Sequence, residues 1–180
     1  MNGGNKSKVE HLERQVVSRE RVADHGEVYT ATREVNAMLD LVKSETERIE
    51  SRFLEPACGT GNFLAEILER KLRVVGERYG KSQFDFERYG ILAVSSIYGI
   101  DILLDNVQEC RKRLFNIFDT AYTRLFIVQT KEKCRAAVRY ILERNIIHGD
   151  ALSFKTVDGH PTPIAFSGSS DFFVGKSKHI

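Results

Sequence analysis

The stretch LEPACGTGNFL, from Leu54 to Leu64, decides what kind of fold this chain can form. A short apolar run ends at Glu55, and Gly59 and Gly61 flank a single threonine before apolar residues resume at helical spacing. Glycines between a strand and a helix let a ligand approach backbone N–H groups at the positive end of the helix dipole. The stretch therefore predicts a strand, a ligand-binding loop and a helix, in that order.

The sequence on both sides of this loop alternates between strand and helix patterns. RFLE, SIYGIDI and NIIHGD predict strands, and DFFVG near the end predicts another. Helices are predicted over about residues 9–22, over 33–49 with Met38 in its core, and between the strands. Strands alternating with helices predict an α/β fold, in which a parallel sheet carries helices on its faces.

Two shorter patterns refine this prediction. Asp105, with Gln108 three residues later, is typical of a capping box at the start of a helix. Asp158 and Gly159 lie between β-prone residues, which favours a hairpin.

The composition is that of one soluble domain. The chain has 180 residues, 42% of them hydrophobic and 29% charged, with a formal net charge of +2. This mild basicity permits a nucleic-acid partner without indicating one. The three cysteines form no CxxC pair, and no apolar run suggests a signal or a membrane span, so we expect a cytoplasmic protein without a membrane partner.

Three of the predicted strands end in an acidic residue, which is Glu55 after RFL, Asp101 after SIYGI and Asp150 after NIIHG. Ligands of open α/β sheets bind at the carboxyl ends of the strands, and an acid at the end of the second strand accepts hydrogen bonds from ribose hydroxyls. Asp101 suits that role, and Asp150 could accept a bond from an adenine amino group. The pattern predicts a cofactor that contains adenosine.

The loop differs from both common phosphate-binding motifs. Leu64 replaces the third glycine of a dinucleotide motif, and no Lys-Ser/Thr pair follows the glycines as in a P-loop. Glu55 would repel a pyrophosphate and favour a cation. S-adenosylmethionine carries a sulfonium and an ammonium but no phosphate, so it is the predicted cofactor.

These motifs resemble a known family. LEPACGTGNFL is similar to the first motif of the S-adenosylmethionine-dependent DNA amino-methyltransferases, and HGEVYTATREVNAML, from His25 to Leu39, resembles their upstream motif. IYGIDI and NIIHGDAL resemble the second and third motifs. Their order is that of the adenine-N6 enzymes of restriction–modification systems.

The resemblance implies a fold and a set of binding residues. It implies the N-terminal half of a Rossmann-like, doubly wound class I methyltransferase sheet over residues 25–180, preceded by a helical lead over residues 1–24. The residues that it assigns to the cofactor, from the methionyl group through the loop and ribose to the adenine, are Tyr29, Thr30, Glu55, Ala57, Gly59, Gly61, Asp101, Ile102, Asp150 and Ala151.

The family's catalytic motif does not occur in this sequence. The motif, Asn/Asp-Pro-Pro-Tyr/Phe, holds a flipped-out target adenine, but Pro56, Pro161 and Pro163 are the only prolines, and GKSKHI follows DFFV. We therefore expect a chain truncated before this motif, which binds the cofactor but does not methylate DNA alone. Its expected partners are double-stranded DNA, through missing or partner regions, and specificity or restriction subunits or a complementing chain.

Other interpretations remain open. The chain could be a non-catalytic module that binds DNA or a subunit, a NAD-binding oxidoreductase domain, or a product too incomplete to fold. The acids Asp101 and Asp150 could act as helix caps, and the glycines could serve only tight packing. Cys58 and His148 are interpreted as structural.

Overall fold

A computed structural model describes residues 30–166 of the chain. The helix predicted over residues 9–22, the strand DFFVG and Tyr29 lie outside the described residues. The helices are α1 (Thr32–Asp40), α2 (Lys43–Thr46), α3 (Asn62–Tyr79), α4 (Gln83–Ser95), α5 (Leu104–Phe126) and α6 (Glu132–Asn145). The strands are β1 (Phe53–Glu55), β2 (Ile97–Asp101), β3 (Ile146–Asp150) and β4 (Lys155–Thr156).

The four strands form one mixed sheet in the order β1-β2-β3-β4. β1, β2 and β3 are parallel, and β4 pairs with β3 in the antiparallel direction. Glu55 is in register with Gly99, and Asp101 with His148. The predicted α/β class is confirmed, and the carboxyl ends of the three parallel strands lie at one edge of the sheet.

The helices pack on one face of the sheet. Their core includes Ile97 and Ile146 from the strands and apolar side chains from α1, α3, α4, α5 and α6. The opposite face carries Tyr98 and Ile100, which a separate cluster covers with Phe166 and neighbouring residues of the last described segment. Among residues 30–166, the expectation of helices on both faces is therefore met on one face only.

A buried lysine joins the amino-terminal side of the sheet. Lys71 of α3 is fully buried, and its Nζ donates hydrogen bonds to the carbonyl oxygens of Ile49 (3.0 Å) and Ser51 and to Oγ of Ser96 (2.6 Å). These contacts tie the segments that lead into β1 and β2 to one helix. Burial lowers the pKa of Lys71 to about 7.

The neighbouring arginine fixes α1 against α3. Arg70 is 5% exposed and contacts Oδ1 of Asn36 (2.7 Å), Oδ1 of Asp40 (2.8 Å) and Oγ1 of Thr46 (3.5 Å). A buried guanidinium needs such partners because it cannot lose its proton. Arg70 thus sets the position of the helix that follows Thr30.

The single helix predicted over residues 33–49 is wrong. The structure has two helices, α1 and α2, and Val42 between them leaves the helical conformation (φ −121°, ψ 33°). Val35 and Leu39, four residues apart, form the buried stripe of α1, while Met38 is 54% exposed. The prediction that Met38 is a core residue is also wrong, because its neighbour Leu39 occupies the buried face and successive helical residues point about 100° apart.

The start of α5 differs from the predicted capping box. The helix begins at Leu104, Leu103 occupies the N-cap position without a side-chain cap, and Asp105 lies inside the first turn. The predicted hairpin is present with a longer loop: Thr156 N–H donates to the carbonyl of Thr162 (2.9 Å), so Asp158 and Gly159 lie within a loop rather than a two-residue turn.

Candidate functional site at the strand ends

The glycine loop is bonded to the end of the second strand. The backbone N–H of Gly59 donates to Oδ2 of Asp101 (2.8 Å), and the N–H of Cys58 donates to the carbonyl of Ile100 (3.0 Å). Residues 42 positions apart in the chain are thereby joined at the carboxyl edge of the sheet. The structure brings the loop and Asp101 together, as the parallel strand order predicts.

Asp101 also bonds the start of α5. Its Oδ1 accepts from the N–H of Leu103 (2.9 Å) and from Nδ2 of Asn106 (3.3 Å), and the residue is only 8% exposed. Leu103 is the N-cap residue of α5, so this bond lies next to the start of a helix, close to the helix-cap role considered for Asp101. The carboxylate serves both the loop and the helix, and its position is fixed by three donors.

Glu55, at the end of β1, holds a buried carboxyl oxygen. Its Oε2 is shielded from solvent and has no hydrogen-bond partner among the described residues. Burial, with the nearby negative charge of Asp101, raises the pKa of Glu55 to about 8. An unpartnered buried carboxyl oxygen is costly, and a proton or a cationic ligand would relieve this cost.

The two loop glycines lack side chains for different reasons. Both have a positive φ, 51° at Gly59 and 83° at Gly61. A Cβ on Gly61 would lie 2.6 Å from Sγ of Cys110, whereas a Cβ on Gly59 would meet no atom of the described residues within 4 Å. The tight-packing interpretation therefore holds for Gly61, and among residues 30–166 the space beside Gly59 is open.

A pair of thiols fills the space beneath the loop, which sequence reasoning did not foresee. Cys58 and Cys110 are both buried, and the contact between the two thiols, together with burial, raises the pKa of the Cys58 thiol. Sγ of Cys58 lies 2.9 Å from where a Cβ of Gly99 would stand. Cys58 is thus a packing residue, as interpreted. Gly99 on β2 leaves the space for its sulfur, and this glycine is the sequence feature that could have indicated the packing.

Thr30 approaches the loop through Asn62, the first residue of α3. Nδ2 of Asn62 donates to the carbonyl of Thr30 (3.4 Å), and its Oδ1 accepts from Nη1 of Arg113 on α5 (2.5 Å). Ala57 is exposed in the same loop. Asn62 and Arg113 were not among the predicted site residues, although the place of Asn62 directly after Gly61 could have indicated it.

Ile102 directly follows β2 and Asp150 ends the neighbouring strand β3, but no hydrogen bond joins the two residues in the described structure. Ile102 follows β2 with its side chain 48% exposed, and its carbonyl contacts Nε2 of His148 (3.0 Å). His148 therefore has a structural contact, as interpreted. Asp150 directs its carboxylate to its own turn, accepting from the N–H groups of Leu152 (2.9 Å) and Ser153 (3.3 Å).

The sequence predicted that Glu55, Asp101 and Asp150 come together at one site, and the structure brings only the first two within electrostatic reach of each other. Glu55 and Asp101 interact electrostatically, whereas the carboxylate of Asp150 closes the turn that contains Ala151. The reason is local: an aspartate before a turn readily accepts backbone N–H groups two and three residues later.

One groove among the described residues lies away from the strand ends. It has a volume of about 710 Å³ and runs between α3 and α5, where it is lined mainly by charged and polar side chains that include Glu69, Arg73, Glu109, Arg113 and Arg124. Its charges are of both signs, and none of the predicted cofactor residues lines it. We assign the candidate site to the strand ends on the chemistry of their side chains rather than on cavity size.

Comparison with protein-family models, with curated proteins and with solved structures finds no match to this chain. Within residues 30–166, no helix combines the length and the apolar character that crossing a bilayer requires.

Proposed function

We propose that this chain binds S-adenosylmethionine at the carboxyl ends of β1 and β2. The observation that carries the proposal is the buried Oε2 of Glu55, which has no hydrogen-bond partner within residues 30–166 and lies near the negative charge of Asp101. A group of positive charge placed there would gain two negative neighbours in a region partly shielded from water, where electrostatic attraction is stronger than in bulk solvent. The ammonium and the sulfonium of S-adenosylmethionine are both of this kind.

The amino-terminal end of α3 complements this acidic end. α3 has 18 residues, its N-cap is Gly61, and no side chain caps it. The N-terminus of a helix carries a partial positive charge that favours a carboxylate. A zwitterionic methionyl group therefore suits the loop, with its carboxylate toward α3 and its ammonium toward Glu55.

The adenosyl group would extend along the end of β2. A carboxylate can accept about four hydrogen bonds, and Asp101 accepts three from Gly59, Leu103 and Asn106. A ribose hydroxyl would use the remaining capacity or replace one of these donors. The exposed side chain of Ile102 offers an apolar surface on which an adenine could pack.

The same features argue against a NAD-binding site. A diphosphate at this loop would lie near the negative charge of Asp101 and would keep Glu55 in its neutral form, so it would gain no attraction from either carboxyl group. The loop N–H of Gly59, which could otherwise contact a phosphate, already donates to Asp101. These contacts favour a cationic adenosyl cofactor over an anionic dinucleotide.

We extend the proposal to the family that the motifs resemble. The chain is proposed to be the cofactor-binding part of a cytoplasmic adenine-N6 DNA methyltransferase, with the N-terminal half of a Rossmann-like, doubly wound sheet. The parallel order of β1, β2 and β3, with helices between successive strands, supports this finer fold. Because residues 1–180 contain no Asn/Asp-Pro-Pro-Tyr/Phe motif, we propose cofactor binding for this chain, and methyl transfer to duplex DNA only where a further polypeptide segment supplies the motif.

Calorimetric titration of the purified chain tests the binding proposal. S-adenosylmethionine should bind with a stoichiometry of one, and NADH should not bind. Replacing Glu55 by Gln should weaken binding at least tenfold, whereas replacing the exposed Glu77 of α3 by Gln should leave it unchanged. Loss of binding in neither variant, or a preference for NADH, would show that the cofactor lies elsewhere or belongs to another class.

A further inference from the structure

We propose that Glu55 is a neutral carboxylic acid in the ligand-free protein and releases its proton when a cationic ligand arrives. The inference rests on the proposed function, since it concerns the same site, and adds that ligand binding is coupled to proton release. The overall change is that Glu55–COOH and the bound cation become Glu55–COO⁻ paired with that cation, while one proton passes to the solvent.

The geometry of Glu55 supports a neutral acid. Its Oε2 is buried and has no hydrogen-bond donor among the described residues. An ionised carboxylate in such a place lacks both water and donors, and the usual response of a buried acid is to keep its proton. The raised pKa, about 8, agrees with this geometry.

The groups that face Glu55 increase this effect. On β2, the carboxylate of Asp101 is held by three donors and contributes negative charge. In the loop, Cys58 carries an uncharged thiol that contacts Cys110 of α5. Within residues 30–166, no cationic side chain contributes to the pKa of Glu55. In this part of the chain, the charge that would stabilise an ionised Glu55 is therefore left to a ligand.

Asp101 and Glu55 consequently differ in their tasks. Donors already bond the carboxylate of Asp101, so a ligand hydroxyl can join them by hydrogen bonding alone. Glu55 has no such donor at Oε2 among the described residues, so it can distinguish a cation from a neutral ligand. This predicts that binding of a cation below pH 8 becomes about tenfold weaker for each unit by which the pH falls.

The experiment is calorimetric titration at about pH 7 in buffers of different ionisation enthalpy, which counts the protons released. The probes are S-adenosylmethionine, S-adenosylhomocysteine, which retains the ammonium but has no sulfonium, and adenosine, which has neither. We expect close to one proton to be released with S-adenosylmethionine and none with adenosine. S-adenosylhomocysteine then shows which cationic group pairs with Glu55. Proton release on its binding identifies the ammonium, and binding without proton release identifies the sulfonium.

Two further results complete the test. Glu55→Gln should bind without proton release and with an affinity that no longer depends on pH between about 6 and 8, whereas Glu77→Gln should behave as the unaltered chain. Carbon NMR of the carboxyl groups should show one glutamate that titrates near pH 8 in the ligand-free protein and disappears in Glu55→Gln. Titration of Glu55 near its ordinary value of 4.5 would overturn the inference whether or not a ligand binds.

The outcomes separate this inference from the proposed function. Binding of S-adenosylmethionine without proton release, or equal release with adenosine, overturns the coupling and leaves the binding site intact. No binding of any adenosyl compound overturns the proposed function and, with it, the coupling.

Discussion

The backbone N–H of Gly59 donates to Oδ2 of Asp101 across 2.8 Å, and this bond joins the glycine loop to the end of β2. A Cβ at Gly59 would meet none of residues 30–166 within 4 Å, whereas Cys110 fills the corresponding space at Gly61. This arrangement leads to specific expectations for stability and binding.

Replacing Asp101 by Ala should destabilise the protein by about 2–4 kcal/mol. The substitution removes the acceptor of the N–H groups of Gly59 and Leu103, which lie in a part-buried site, and an unpaired buried donor costs about 1–3 kcal/mol. Urea denaturation measures the change. Asp158→Ala is the control, because the bond from Thr156 to Asp158 is exposed, and its cost should stay below about 0.5 kcal/mol; equal costs for the two variants would contradict the structural role of Asp101.

The pH dependence of stability should carry the signature of Glu55. Its pKa is about 8 in the folded protein and near the ordinary 4.5 in the unfolded chain, so the folded state binds the additional proton between these values. The free energy of unfolding should therefore fall as the pH rises from about 4.5 to 8, by at most about 1.4 kcal/mol per unit, and level off above 8.

Glu55→Gln removes this contribution without changing the side-chain volume. Subtracting its stability profile from that of the unaltered chain cancels all other groups, and the difference should decline only in that interval. Urea denaturation at several pH values gives both profiles. A difference that is constant from about pH 5 to pH 9 would show that Glu55 titrates normally.

Lys71 should give the opposite slope in a different interval. Burial lowers its pKa to about 7 from the ordinary 10.5, so the unfolded chain binds more protons between these values. The contribution of Lys71 to stability is complete above about pH 10.5 and is lost as the pH falls toward 7. Lys71→Met should remove the slope and cost about 2–4 kcal/mol, since the carbonyls of Ile49 and Ser51 lose their donor.

Guanidinium denaturation at about pH 7 and pH 9.5 checks this expectation. The control is Lys43→Met, because Lys43 forms only an exposed ion pair with Glu47, and such pairs contribute at most about 1 kcal/mol. A slope that persists in Lys71→Met would assign it to another group.

The loop glycines should respond differently to alanine. Gly59→Ala should cost only the strain of a positive φ, about 1–2 kcal/mol. Gly61→Ala should cost more, since the new Cβ also lies 2.6 Å from Sγ of Cys110. Thermal denaturation of the two variants makes the comparison.

A double variant separates the steric part from the strain. Combining Gly61→Ala with Cys110→Ala removes the sulfur from the clash, so the two substitutions together should cost less than the sum of their separate effects. Simple additivity would mean that Cys110 does not limit the residue at position 61.

Much of the fold follows from sequence patterns, and the exceptions have physical causes. The strands that end at Glu55, Asp101 and Asp150 occur where the apolar runs predict them. Two predictions about the first described helix were wrong for local reasons. Val42 interrupts the helix although the apolar pattern continues beyond it, and Met38 is exposed because Leu39 occupies the buried face. Side-chain patterns do not resolve such breaks in the backbone.

The candidate site was predictable in its location but not in its contacts. Parallel strands placed Glu55 and Asp101 together, as sequence reasoning required. Two contacts could not be read from the sequence, because they depend on distances between side chains and backbone. They are the turn that binds the carboxylate of Asp150 and the packing of Cys110 against Gly61. The same is true of Oε2 of Glu55, which lacks a partner among residues 30–166 and on which the proposed chemistry depends.

Equilibrium binding of S-adenosylmethionine to the unaltered chain and to Glu55→Gln tests the central claim most directly. We predict one binding site in the unaltered chain and an affinity at least tenfold lower in the variant. The circular dichroism spectra of the two proteins should be the same, which shows that the variant is folded. Equal affinity in both proteins, or no binding to the unaltered chain, would contradict it.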